Sequence, residues 1–283
     1  MTGKFISGIS LLFSLIAFTC NLDAQTADFK KIRWEHEKIA PGLIWKSSHT
    51  YINDSIPQNI NVLIVNLNKR KISIDYNPKE NIAVSRQCAG SDALAAVNAG
   101  FFDMMKGGSV TYIRTGGLIA DSDTSGKWKR RENMNGAILI LHDGSVNITK
   151  CAENSWYDSH PEFRDILITG PLLIQESHEA ELPSNAFITN RHPRTAIGAG
   201  KRHRIILVTV DGRTKQSLGM SLTELTDLMA YFHCKEAVNL DGGGSTTMWI
   251  KNMPFNGIVN MPCDNRKFDH EGERAVSDII VVK

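Results

Sequence analysis

Short apolar segments separated by brief turn signals recur along most of this chain, and that rhythm restricts it to a fold in which strands pair with near neighbours. Residues 60–67 and 71–76 flank Asn68-Lys69-Arg70, which predicts a hairpin. A second hairpin is expected from 137–141, the turn His142-Asp143-Gly144, and 145–148, and a third from 195–199, a turn at 200–203, and 204–210. The Val- and Ile-rich residues 275–282 read as a further strand. One helix is written clearly: Ser221 followed by Glu224 forms a capping box, and Leu222, Leu225, Leu228, Met229 and Phe232 share one face. A weaker helix is expected over 82–89. Many strands with few helices predict an α+β fold, a single domain of mixed, largely antiparallel β-sheet with a few packed helices.

Composition limits the function classes. The chain has 283 residues, 42% of them hydrophobic and 22% charged, which fits a globular core and excludes whole-chain disorder. Its scattered charges sum to +2, with no basic stripe for nucleic acid. Lys4 precedes an apolar run over residues 5–18, about 14 residues against the roughly 20 that a membrane-spanning helix needs. Residues 1–24 therefore read as a signal peptide, with Gln25 as the first mature residue and an exported product that is periplasmic, secreted or surface-tethered. Lipidation at Cys20 is the alternative. Cys88, Cys151, Cys234 and Cys263 then remain, spaced too widely for a zinc knuckle or a CxxC pair, and either disulfides or free buried thiols fit them.

Chemistry concentrates at three strand ends. Residues 237–240 form an apolar strand that ends at Asp241, followed by Gly242, Gly243, Gly244, Ser245 and Thr246. Three successive glycines cost conformational entropy, so the backbone there needs positive φ or a close approach. Exposed N–H groups in such a run make an anion cradle, and the two hydroxyls can add donors; a simple glycine turn capped by Asp241 is the plainer reading. Residues 93–97 end at Asn98-Ala99-Gly100-Phe101-Phe102, where the aromatic pair either lines a sugar site or packs in the core. The third hairpin is bounded by Arg194 and by Asp211-Gly212-Arg213. Arginine suits bidentate capture of phosphate, and Asp211 either acts or caps a turn. Paired carboxylates are the minimum equipment for glycoside hydrolysis. His192 and His203 are isolated, and no metal-ligand spacing occurs, so no metal or cofactor is expected.

Taken in order, NAGFF at 98–102, GP at 170–171, PRTAIG at 193–198, VDGR at 210–213, MSLTEL at 220–225 and NLDGGGST at 239–246 resemble the phosphodiester glycosidase family. The resemblance divides the chain into a signal peptide (1–24), N-terminal strands (25–57) and a glycosidase-like domain (58–283). It implies hydrolysis of a sugar 1-phosphodiester at the glycosidic bond, releasing free sugar and a phosphomonoester. It also implies a site of Asn98, Arg194, Asp211 and Asp241 for catalysis, with Thr195, Gly212, Gly242, Gly243, Gly244 and Ser245 at the substrate, joined by Phe102 from the aromatic pair. Arg194 is expected to hold the phosphate while Asp211 or Asp241 acts as acid or nucleophile. A secreted glycan-binding protein without turnover and a metal-dependent phosphodiesterase that cleaves the P–O bond are the competing readings.

Overall fold

The structure is a computed structural model and describes residues 28–121 and 133–283. The expected signal peptide and Cys20 lie outside the described residues. An eight-stranded sheet runs in the spatial order Glu35–Ala40, Leu43–Ile52, Ile56–Asn66, Arg204–Val210, Arg194–Gly200, Cys234–Asn239, Leu172–Gln175 and His178–Glu179. A five-stranded sheet is ordered Val146–Lys150, Gly136–Leu141, Phe163–Thr169, Ile113–Thr115 and Leu118–Asp121, and a four-stranded sheet Met248–Ile250, Ala95–Asn98, Asp278–Val282 and Ile72–Tyr76. The ladders among the described residues are antiparallel, with an isolated parallel bridge between Cys263 and Gly272. The fold is thus largely antiparallel β with few helices.

Strand Arg204–Val210 is buried along nearly its whole length because both faces of the large sheet are covered, so its sequence reads as a continuous apolar run rather than an alternation. Ile205 and Leu207 join Val97, Ile138, Leu167 and Ile280 in a core shared by all three sheets. Ile206, Val208 and Ala196 face the other way, toward Leu222, Leu225, Leu228 and Met229 of the helix Leu222–Tyr231. That helix starts as its sequence predicts: Ser221 Oγ accepts the Glu224 N–H at 3.1 Å and Glu224 Oε2 accepts the Ser221 N–H at 2.9 Å.

Two of the expected hairpins form, Gly136–Leu141 with Val146–Lys150 and Arg194–Gly200 with Arg204–Val210. The one at Asn68-Lys69-Arg70 does not. Ile56–Asn66 already has both edges taken, by Leu43–Ile52 and Arg204–Val210, so the chain turns out of the sheet and Ile72–Tyr76 pairs with Asp278–Val282 instead. The expected boundary between 57 and 58 falls inside Ile56–Asn66, and the strands before it complete the same sheet. The expected C-terminal strand breaks at Ser277: Ala275–Val276 pairs with Ile82–Ala83, and Asp278–Val282 enters the four-stranded sheet. The helix expected over 82–89 shrinks to Val84–Cys88. No disulfide joins Cys88, Cys151, Cys234 or Cys263 among the described residues, and burial pushes Cys88 and Cys234 up to about 12, which keeps them protonated and unreactive.

Because the capping box satisfies two backbone donors at the start of the helix, Ser221→Ala should cost about 1 kcal/mol. Urea denaturation should show a lower midpoint with an unchanged slope; an unchanged midpoint would mean that the helix start is held by packing alone.

Candidate active site

The ends of Ala95–Asn98, Arg194–Gly200 and Cys234–Asn239 meet at one amide. Asn98 is fully buried, its Nδ2 donates to the Asp241 carbonyl at 2.7 Å, and its Oδ1 accepts from Thr195 Oγ1 at 2.7 Å and from the Thr247 N–H at 3.1 Å. The backbone closes the junction, with Asp241 N–H donating to Ala99 O and Leu240 N–H to Thr195 O. A side chain here must both donate and accept, which an amide does and a carboxylate does not. Asn98, Thr195 and Asp241, three of the residues expected at the site, are therefore brought together.

The Asp241 carboxyl is half-buried, and loss of solvation pushes its pKa up to about 6. Opposing influences favour the anion. Gly242 N–H donates to Oδ1 at 2.9 Å, and the Ser245 hydroxyl faces the carboxylate without meeting hydrogen-bond geometry. The guanidinium groups of Arg274 and Arg213 act on it in the same direction at longer range.

The three glycines do different work from that expected of an anion cradle. The N–H groups of Gly242, Gly243, Ser245 and Thr246 are engaged by Asp241 Oδ1, Pro193 O, Gly242 O and Gly243 O. What the glycines provide is space. A Cβ on Gly242 would lie 2.6 Å from Pro193 O, one on Gly243 would lie 2.9 Å from Arg213 Nη2, and one on Gly244 would strike Arg274 Nη2 and Asp264 Oδ1. Gly243 also has φ of +63°, the left-handed region that favours glycine. The backbone is thus thinned so that two guanidiniums come down onto it beside Asp241.

Arg194 lies elsewhere. Adjacent residues of a strand face opposite sides of a sheet, and with Thr195 turned to Asn98, Arg194 turns to the helix side. There its Nε donates to Met220 O at 2.9 Å, its Nη2 to Phe187 O and Asn190 O, and its guanidinium sits over the Phe187 ring. Those donors hold a loop together rather than a phosphate. Asp211 is 1% exposed and its carboxylate is saturated by Asn59 Nδ2 at 2.6 Å, Asn260 Nδ2 at 2.8 Å and Met261 N–H at 2.9 Å. Asn260 passes the constraint on, donating to Thr246 O and accepting the Met248 N–H. Asp211 thus anchors the chain that follows the glycines. Gly212 is needed for close packing, since a Cβ would sit 2.8 Å from Pro193 N. Phe102 packs against the small core cluster that holds Ala96, Trp249 and Ile279, the plainer of the two readings its sequence allowed.

Three residues that the sequence did not single out belong to this neighbourhood. Arg274 is bonded to Asp264 across the glycines, Asn260 bridges Asp211 to the segment after them, and Asp278 lies fully buried on the far side of Asn98-Ala99-Gly100. Asp278 Oδ1 accepts the Gly100 N–H, and burial together with the like charge of Asp241 pushes its pKa up to about 7. An acid inside the apolar stretch AVSDIIVV was the sequence signal available for it.

The phosphodiester glycosidase family model matches residues 91–283. The chain belongs to the phosphodiester glycosidase family. It is 28% identical over 183 residues to the bovine N-acetylglucosamine-1-phosphodiester α-N-acetylglucosaminidase and 26% identical over 188 residues to the human one, covering 60% of this chain in both cases. The aligned region is about a third of the length of those relatives. Among solved structures, the zebrafish catalytic domain of the same enzyme, auto-inhibited by its pro-peptide, superposes with a TM-score of 0.68 at 21% identity, over 88% of this chain and 87% of that one. That likeness shows a shared fold. No helix among the described residues is long and apolar enough to cross a membrane.

For this family member the raised carboxyls have a consequence for stability. A carboxyl whose pKa rises on folding adds stability that is complete below its unfolded value, near 3.8, and is lost as pH climbs through the folded value. Asp241 and Asp278 place that loss between about pH 4 and pH 7. The thermal midpoint should therefore fall from pH 5 to pH 8, and fall less in Asp278→Asn; a midpoint that is flat or rises over that range would contradict the burial of both groups.

Proposed function

We propose that this protein hydrolyses a sugar 1-phosphodiester at its glycosidic bond, releasing free sugar and a phosphomonoester. The observation that carries the reading is Asp241, a carboxyl pushed up to about 6 and set beside two guanidiniums over a glycine-thinned backbone. In the reaction the bond between the anomeric carbon and the phosphate oxygen breaks, its electron pair leaves with the phosphate, and water supplies the oxygen that joins the carbon. A phosphomonoester is already a competent leaving group, so it needs charge neutralisation more than a proton. Arg213, exposed and seated over Gly243, and Arg274, half-buried over Gly244, supply that neutralisation, and their planar forks suit phosphate oxygens. Asp241, ionised above pH 6, works on the sugar side as nucleophile or base, while Asn98, itself held by Thr195, fixes its backbone and Asp211 fixes the segment after the glycines.

The N-acetylglucosamine 1-phosphodiester named for the relatives is the first substrate to try. Export, supported by the charged and apolar segments of residues 1–24, gives such an enzyme access to phosphodiester-linked envelope or capsule glycans and to host or dietary glycans.

Incubation with a sugar 1-phosphodiester should release free sugar and phosphomonoester. Release of sugar 1-phosphate would assign a phosphodiesterase, and binding without turnover would assign a glycan-binding protein. Arg213→Ala should lower the rate on the phosphodiester by about 10²-fold, the usual cost of losing one donor to a developing anion. The same substitution should change the rate on an aryl glycoside of the same sugar by no more than a few-fold, and equal losses on both substrates would remove Arg213 from the phosphate. Arg194→Ala, by contrast, leaves three carbonyls short of a donor and should lower stability and both rates together.

A further inference from the structure

Asp278 is linked to the backbone of Asp241 through Ala99. Its own carbonyl accepts the Ala99 N–H at 3.2 Å, and the Ala99 carbonyl accepts the Asp241 N–H at 2.8 Å. Its Oδ1 accepts the Gly100 N–H, while its Oδ2 is buried with no hydrogen-bond partner. Space has been kept for it: a Cβ on Gly100 would lie 3.1 Å from Asp278 Oδ1 and 2.7 Å from Leu167 Cδ1. Among the described residues, no cation acts on it. Asp241 is the charged group that does, from across the Asn98–Gly100 segment, and Tyr76 faces it across the ladder with its hydroxyl accepting the Ser109 N–H. Arg213 and Arg274 face Asp241 instead. A buried carboxylate with one oxygen unpaired and no cation is costly, whereas a neutral carboxylic acid in the same place is not.

We propose that Asp278 is a positioning residue for Asp241, acting as a neutral carboxylic acid that fixes the Asn98–Gly100 segment without adding charge to the site. The inference rests on the proposed role of Asp241 as the working carboxylate. The two acids lose their protons in two steps that belong to the pair, near 6 and near 7. Between those steps Asp241 is an anion and Asp278 is neutral. Above the second step Asp278 adds a like charge beside Asp241 and the departing phosphate, which opposes the reaction.

The wild-type protein should therefore show kcat/KM rising through about pH 6 and falling above about pH 7. Asp278→Asn keeps an oxygen for the Gly100 N–H and cannot ionise. At pH 6 it should retain kcat and KM within a few-fold while its falling limb moves up by about one pH unit or more. An unchanged falling limb, or a uniform loss of rate with the wild-type profile, would overturn the proposal. Should that variant fail to fold, carboxyl-carbon NMR of aspartate-labelled wild type and Asp241→Asn decides the matter. An aspartate signal titrating near neutrality should appear in the wild type, and its midpoint should drop by about one pH unit in Asp241→Asn, where the like charge is gone. No aspartate titrating above pH 5, or a midpoint unmoved by Asp241→Asn, would overturn it. The NMR readout needs no turnover, so it stands apart from failure of the proposed hydrolysis, which product analysis judges.

Discussion

The site depends on the side-chain amide of Asn98. One group, with no exposed surface, ties the end of a four-stranded sheet to a strand of the eight-stranded sheet through Thr195, to the backbone of Asp241, and to the chain leaving the glycines through Thr247. Each such hydrogen bond contributes only about 1 kcal/mol net, but a buried partner left unpaired costs about 1–3 kcal/mol, so the three bonds stand or fall together. Through them the separate sheets present Asp241 in a single orientation. Asp211 performs the corresponding task on the other side: its saturated carboxylate grips Asn260 and Met261 and thereby the segment beyond Gly244.

With the backbone fixed at both ends, the glycines determine what can approach Asp241. Their N–H groups are largely spent inside the protein, so the positive field at the site comes from side chains that the missing Cβ atoms admit. Arg274 is half-buried, where screening is reduced and a guanidinium acts more strongly on an anion than it would in open water, while Arg213 reaches the same place from the exposed side. Burial also raises Asp241 toward neutrality. The same environment thus favours an anionic leaving group and holds a carboxyl whose charge state changes within the physiological range.

Much of this was readable from sequence wherever the determining contacts are local. The Ser221 and Glu224 pair marks a helix start because capping acts within one turn, and the hairpins at 137–148 and 195–210 follow from turns that join strands with free edges. The turn at Asn68-Lys69-Arg70 is just as clear locally, yet it leads out of the sheet because a distant strand, Arg204–Val210, occupies the edge it would have used. Asn98, Thr195 and Asp241 were legible as polar residues at or beside the ends of apolar strands. Strand alternation turns Arg194 away from this junction: once Thr195 faces Asn98, its neighbour cannot. The triple glycine signalled a close approach without saying what approaches, since Arg274 is 30 positions further along the chain from Gly244. Asp278 left only the trace of an acid among valines and isoleucines, and its significance depends on Gly100 and Asp241 being folded around it.

If the bond to the sugar breaks and the two arginines receive the phosphate, the oxygen supplied by water ends on carbon. Hydrolysis of a sugar 1-phosphodiester in ¹⁸O-labelled water, followed by mass spectrometry of both products, tests it most directly. The label should appear in the released sugar and not in the phosphomonoester; label in a phosphate-containing product would mean that a P–O bond breaks instead.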